Sequence, residues 1–385
     1  MKSFDFDTPV DRCDTASLKW ERYGKKDIIP LWVADMDFRS PPAVIQTLGR
    51  RVEYGVFGYG VAPNALTEVI CEILVRRHNW QVEPDHLVWL PGLVCGLNIA
   101  CRSIGSIHDN VMTMVPVYPP FLTAPKNSKR ELVTVPLKSG KKCWEIDFAV
   151  LKQNITKKTR LLLFCNPQNP VGRVFNQQEL CELISICSQN DITICSDEIH
   201  CDLILDADKS HIPTATISQE AAERTITLMA PSKTFNIPGL GCSFAVISNR
   251  DLRNKFFQAM EGIVPEVNIL GYAAAEAAYR DGWEWHADLL EYLRGNSRLV
   301  EKEIGAMEGL SMHHVEATYL AWIDASSVDP FTPARFFEKA GVGLSEGSDF
   351  GLPGFVRLNF GCQRSLLQEA LQRMKKVTAA GIANV

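Results

Sequence analysis

Three polar residues stand just beyond apolar, strand-like runs, 28 and then 36 residues apart. Asn169 lies in Asn166-Pro167-Gln168-Asn169-Pro170-Val171-Gly172 after RLLLFC, and Asp197 lies in Ser196-Asp197-Glu198-Ile199-His200 after ITIC. Lys233 lies in Ala230-Pro231-Ser232-Lys233-Thr234-Phe235-Asn236 after TITLM. Alone, each has an ordinary reading: a turn for Asn169, a helix cap or turn for Asp197, a solvated surface amine for Lys233. Together they indicate one ligand.

Such residues need a frame that brings strand ends together. Between about residue 85 and residue 250, short apolar runs recur as HLVWL, NVMTMVPV, RLLLFC, DITICS, TITLM and CSFAVIS, the pattern of strands buried on both faces. Helical stretches separate several of them, such as FNQQELCELISICSQN, where Asn176 and Glu179 have capping-box spacing. The fold class predicted is α/β, a mostly parallel central sheet covered by helices, with ligand at the carboxyl ends of the strands. Later segments, about 290–306 and from Ser365 onward, read as helices, with strand-like TYLAWID and FVRLNF between them. They predict a smaller α+β domain. The Pro- and Asp-rich segment before residue 45 is expected to pack on it, giving a large domain over 46–285 and a small one from 1–45 and 286–385, with a cleft between them.

Composition narrows the partner. The 385 residues are 46% hydrophobic and 22% charged with net charge −5, and no Lys/Arg block stands out, which argues against nucleic acid or an anionic membrane. The start MKSFDFDTPVDRCD has acids where a secretory leader has an apolar core, and no long uninterrupted apolar stretch follows. A cytoplasmic location is expected. Twelve cysteines are scattered without a Cys-x-x-Cys pair, so no metal site is expected and residues such as Cys165 and Cys195 read as reduced core fillers.

The ordered motifs NPQNPVG, SDEIH and SKTFN resemble those of fold type I pyridoxal-phosphate enzymes of the aminotransferase class I/II superfamily, across nearly the whole chain. The N-terminal Ile29-Pro30-Leu31-Trp32-Val33-Ala34-Asp35-Met36-Asp37-Phe38, with FGYG, PVYPPF, APSKTFNIPG and FVRLN, is similar to the narrower group of MalY/PatB-type carbon–sulfur lyases. This resemblance implies pyridoxal 5'-phosphate as cofactor, held covalently by Lys233, faced at its ring nitrogen by Asp197, reached at its phenolic oxygen by Asn169 and stacked by Tyr118. Backbone amides of Val94 and Cys95, where Pro91-Gly92-Leu93-Val94-Cys95-Gly96 opens a helix, would receive the phosphate, with Ser232 helping. Tyr59 would reach it from a second subunit, which implies a homodimer. Two departures stand out: Ala230 and Gly241 occupy positions where relatives often carry Ser and Arg. His200 replaces a frequent Tyr, and either cofactor contact or support of Asp197 is open to it. Arg357 would grip the substrate α-carboxylate, assisted by the Val33–Ala34 backbone.

The activity implied is α,β-elimination of L-cystathionine or related cysteine S-conjugates. An aminotransferase is the alternative on the same scaffold, and a regulatory binding protein is a reading from another class. Thr318, Tyr319 and Phe350 are candidates for the side-chain pocket or, equally, for core packing.

Overall fold

The six apolar runs become strands because each can bury both faces under helices. The computed structural model describes residues 4–382. Its central sheet has seven strands: β1 (Leu87–Leu90), β2 (Asn110–Val115), β3 (Glu131–Pro136), β4 (Thr159–Cys165), β5 (Thr193–Asp197), β6 (Thr225–Met229) and β7 (Ser243–Val246). They lie in the order β1-β7-β6-β5-β4-β2-β3. The run from β3 to β6 is parallel, while β7 is antiparallel to both its neighbours.

Alternation along β4 shows how both faces are used. Leu161 and Leu163 join one core with Leu93 and Leu97 of the helix Leu93–Ser103; Leu162 and Phe164 join another with Leu180 and Leu183 of the helix Gln177–Gln189. The predicted capping box closes this second helix, with Asn176 Oδ1 accepting from Glu179 N (3.0 Å) and Glu179 Oε2 accepting from Asn176 N (2.8 Å). No apolar run in the sequence marks β3. It is an edge strand, exposed or half-buried except at Val135, so it lacks the continuous apolar run of its neighbours.

A second, antiparallel sheet is formed by Ser311–Met312, Leu320–Asp324, Phe355–Asn359 and Ser345–Glu346. The helices Trp283–Gly305 and Arg364–Ile382 pack on it through Leu289, Leu293, Leu367 and Leu371. Ile29–Pro30 pairs in parallel with Val342–Gly343, so the N-terminal segment lies against the C-terminal part, as expected. Residues 31–40 then run without regular structure toward the carboxyl edge of the central sheet. Among the described residues no helix is long and apolar enough to cross a membrane.

Candidate active site

A cavity of about 330 Å³ opens where the parallel strands end. Five of the seven strands each deliver one part of its wall. Gly92, Leu93 and Val94 follow β1 at the start of an eleven-residue helix, and Tyr118 follows β2. Asn169 follows β4, Asp197 is the last residue of β5, and Ser232 and Lys233 sit in the short helix Pro231–Thr234 after β6. Register makes them neighbours, since Cys165 pairs with Asp197 and Asp197 pairs with Leu228. Val33, Ala34, His200 and Arg357 complete the enclosure.

Burial dominates the electrostatics. Desolvation pushes the Asp197 carboxyl up to about 7, partly offset by the Ile199 N–H that donates to Oδ1 at 3.2 Å, its one hydrogen bond among the described residues. Burial lowers Lys233 to about 8, against the pull of the Asp35 charge, and Nζ donates to Ala34 O at 2.6 Å. His200 falls to about 3 through burial and the nearby Lys233 and Arg357 charges, so its imidazole is neutral. Its Nδ1 is buried without a partner and it makes no hydrogen bond to Asp197 among the described residues.

Arg357 is the least compensated charge in the cavity. Its Nη1 donates to Asn169 Oδ1 (3.0 Å) and Nη2 to Trp32 O (2.8 Å), its plane lies 4.7 Å from the Phe350 ring, and Nε is buried with no partner. No carboxylate pairs with it among the described residues, and burial lowers it to about 10. A buried guanidinium with a free N–H is a site for an incoming carboxylate.

The loop at 31–38 is pinned from far away in sequence. Asn359 Nδ2 donates to Val33 O (2.6 Å) and Asp35 O (2.8 Å), Tyr319 Oη donates to Ala34 O (2.9 Å), and Asn236 Nδ2 donates to Met36 O (3.0 Å) and Phe38 O (2.8 Å). Beneath it Lys19 Nζ meets Asp37 Oδ2 at 2.6 Å, both side chains essentially buried, while Arg12 bridges Asp35 and Asp37. Asn236 and Asn359 sit inside quoted motifs, but the sequence carries no signal for what they hold. Tyr319 and Thr318 line neither this cavity nor the one beside it, whereas Phe350 lines the latter. Cys165 is more than a filler: it lines the cavity and its sulfur accepts the Asn169 N–H at 3.4 Å.

The residues fit the cofactor that the motifs imply. A buried carboxylate with one hydrogen bond suits a cationic ring nitrogen, an amine of lowered pKa suits an aldehyde, and Tyr118 supplies an aromatic wall. First-turn amides of the helix Leu93–Ser103 have no intrahelical acceptors and suit a phosphate. At position 241 φ is +57° and a Cβ would lie 3.1 Å from Pro91 O, a conformation that favours glycine. Two expected contacts lie outside this wall: Cys95 is half-buried against the core, and Tyr59 is fully exposed beside Ile269.

Comparison with known proteins agrees with this arrangement. The family model for aminotransferase class I and II matches residues 26–374. Cystathionine beta-lyase PatB of Bacillus subtilis (strain 168) is 34% identical, over 96% of this chain and 99% of that protein. Among solved structures, OvoB is 46% identical with a TM-score of 0.96, covering 98% of this chain and 100% of that one. Cystalysin from Treponema denticola, solved with a pyridoxal 5'-phosphate cofactor, is 33% identical with a TM-score of 0.93, covering 98% and 99%. With both the sheet-end cavity and the matched length in agreement, the chain belongs to the aminotransferase class I/II family, in its branch of carbon–sulfur lyases.

Proposed function

We propose that this protein is a pyridoxal-phosphate-dependent β-lyase that cleaves the Cβ–S bond of L-cystathionine or related cysteine S-conjugates. The observation that carries it is the meeting in one cavity of a low-pKa lysine, a buried carboxylate and an unpaired arginine, each from a different strand end or sheet. Lys233, Asp197, Asn169, Tyr118, Ser232 and His200 would hold the cofactor, with the backbone amides of Val94 and Cys95 on its phosphate. When bound, the cofactor supplies a sink for the electron pair released as the Cα proton leaves.

The chain's own residues do the rest. Arg357 takes the substrate α-carboxylate through its free N–H, and Val33 and Ala34 close the opposite side. Lys233 acts as general base at Cα, and an amine near pKa 8 is neutral in roughly a tenth of molecules at pH 7, far more than an ordinary lysine. Asp197, once opposite a cation, stays ionised and keeps it protonated. Overall, R–S–CH₂–CH(NH₃⁺)–COO⁻ and water give R–SH, pyruvate and ammonium. The sulfur leaves with the electron pair of the broken C–S bond and gains a proton.

The working unit we infer is a homodimer in which Tyr59 reaches the partner's cavity. Supporting this, Val52, Tyr54, Val56, Phe57, Tyr59 and Val61 form an exposed apolar run. The large domain spans 46–285 and the small one joins 1–45 to 286–385, a division supported by the separate sheets; residues 1–3 and 383–385 lie outside the described residues. All twelve cysteines are free thiols, which suits the reducing cytoplasm. Incubation with cystathionine in the absence of any keto acid tests the activity. Sustained release of pyruvate and thiol is expected; one stoichiometric burst followed by arrest would instead identify a transaminase.

A further inference from the structure

Among the described residues, one group of side chains outside the cavity has the make-up and spacing of a metal site. A ring nitrogen of His78, the sulfur of Cys201 and a carboxylate oxygen of Asp202 all lie within 4.8 Å of one another. His78 ends the helix Asn64–His78, and Cys201 and Asp202 lie in the turn that follows β5. The two parts meet only through the fold, so no short Cys or His spacing marks the group in the sequence. It stands behind the reactive amine: Thr234, next to Lys233, donates from Oγ1 to Asp202 Oδ2 at 3.4 Å.

Its parts are held in place with coordinating atoms left over. Arg77 Nε donates to Asp202 Oδ1 at 2.8 Å, and its guanidinium lies 4.1 Å over the Trp283 ring. His286 Nε2 donates to the Asp202 carbonyl at 2.7 Å. Oδ2 is turned toward the group, 3.7 Å from Cys201 Sγ. The Nδ1 of His78 is buried with no hydrogen-bond partner. His211, 6% exposed and edge-to-face with His78 at 5.5 Å, repeats this feature. Its Nε2 donates to Glu198 Oε2 at 2.7 Å, and its Nδ1 is buried without a partner. A carboxylate on one ring nitrogen, with the lone pair of the other left free, is how a metal-bound imidazole is prepared. Each buried unpaired nitrogen carries a desolvation cost, which a bound cation removes.

We propose that His78, Cys201 and Asp202 bind one Zn²⁺ ion, with His211 completing a tetrahedral set. Thiolate, imidazole and carboxylate together favour zinc over magnesium or calcium, which take oxygen ligands. On binding, the Cys201 thiol gives its proton to solvent and the sulfur lone pair goes to the metal. The thiolate and the Asp202 carboxylate then neutralise the dication, while Arg77 orients that carboxylate through its other oxygen. Because Asp202 also accepts from Thr234, the site is joined to the short helix that carries Lys233.

The test uses the holoenzyme with its exposed cysteines replaced, Cys13→Ser and Cys181→Ser, so that surface thiols do not hold metal. After equilibration with zinc chloride and gel filtration, about one zinc per chain is expected by elemental mass spectrometry, and magnesium chloride in its place should leave no bound metal. X-ray absorption of the zinc-loaded protein should show one sulfur at about 2.3 Å and two imidazole nitrogens at about 2.0 Å. In competition with a chromophoric chelator, His78→Gln and Cys201→Ser should each weaken zinc binding by about tenfold or more, with the cofactor absorbance kept at the parent level. Failure to retain zinc, a shell lacking the sulfur or either imidazole, or parental affinity in both variants overturns the proposal. Should Cys201→Ser fail to fold, the absorption spectrum of the protein with Cys201 intact and the affinity of His78→Gln still decide.

Discussion

Two regions meet at the cavity and are built in opposite ways. At the sheet end, Asn169, Asp197 and Lys233 occupy their places because each follows a buried strand, and strand register sets their separation. Across from them, residues 31–38 have no regular structure and are held by side chains from Lys19, Asn236, Tyr319 and Asn359. Backbone order positions the reactive groups, whereas side-chain hydrogen bonds position the loop that closes over them. A change at the sheet end should therefore cost chemistry with little stability, and a change under the loop should cost both.

The largest effect expected is that of Lys233→Ala. Pyruvate release should fall by about 1,000-fold or more. The cofactor-free variant should melt no lower than the parent, since a desolvated amine has been removed; a clear drop in melting temperature would break the contrast. Next is Lys19→Met, which leaves buried Asp37 with only Arg12 and the Trp20 indole. It should cost about 3 kcal/mol in denaturant unfolding and also raise KM, because the loop moves. Unchanged KM in that variant would show that the ion pair does not set the loop.

Smaller still is Tyr319→Phe. It removes one hydrogen bond to Ala34 O, so about 1 kcal/mol of stability and a few-fold rise in KM are expected. The finest test is of pH. Covalent uptake of pyridoxal phosphate by the cofactor-free protein needs a neutral Lys233, so its rate should climb through about pH 8. Asp35→Asn removes a charge that raises this pKa and should move the midpoint lower. The stability sign follows from the same shift. Between about 8 and the ordinary lysine value of 10.5 the unfolded chain binds more protons than the folded one, so the Lys233 contribution makes stability rise with pH across that window.

What was legible in the residues follows the same division. Continuous apolar runs such as TITLM and RLLLFC announce their strands, and the residues just beyond them announce the cavity. The edge strand Glu131–Pro136 was not legible as part of the central sheet, because half its surface meets solvent and no continuous apolar run marks it. Neither were the tasks of Tyr319 and Asn359, which depend on contacts 285 and 326 residues away. Cys165 was hidden differently, since its burial is that of a core residue while one side of it faces the cavity.

Arg357 touches both regions at once, Asn169 with one terminal nitrogen and Trp32 with the other. By occupying the oxygen of the Asn169 amide, it dictates which end of that amide is presented inward, leaving the NH₂ as the free end. A lysine in its place would offer no fixed two-headed donor, and the amide would be free to rotate and show an acceptor instead. Grip on an acidic ligand and the donor polarity of the opposite wall would then vanish in the same mutant, two losses with one cause.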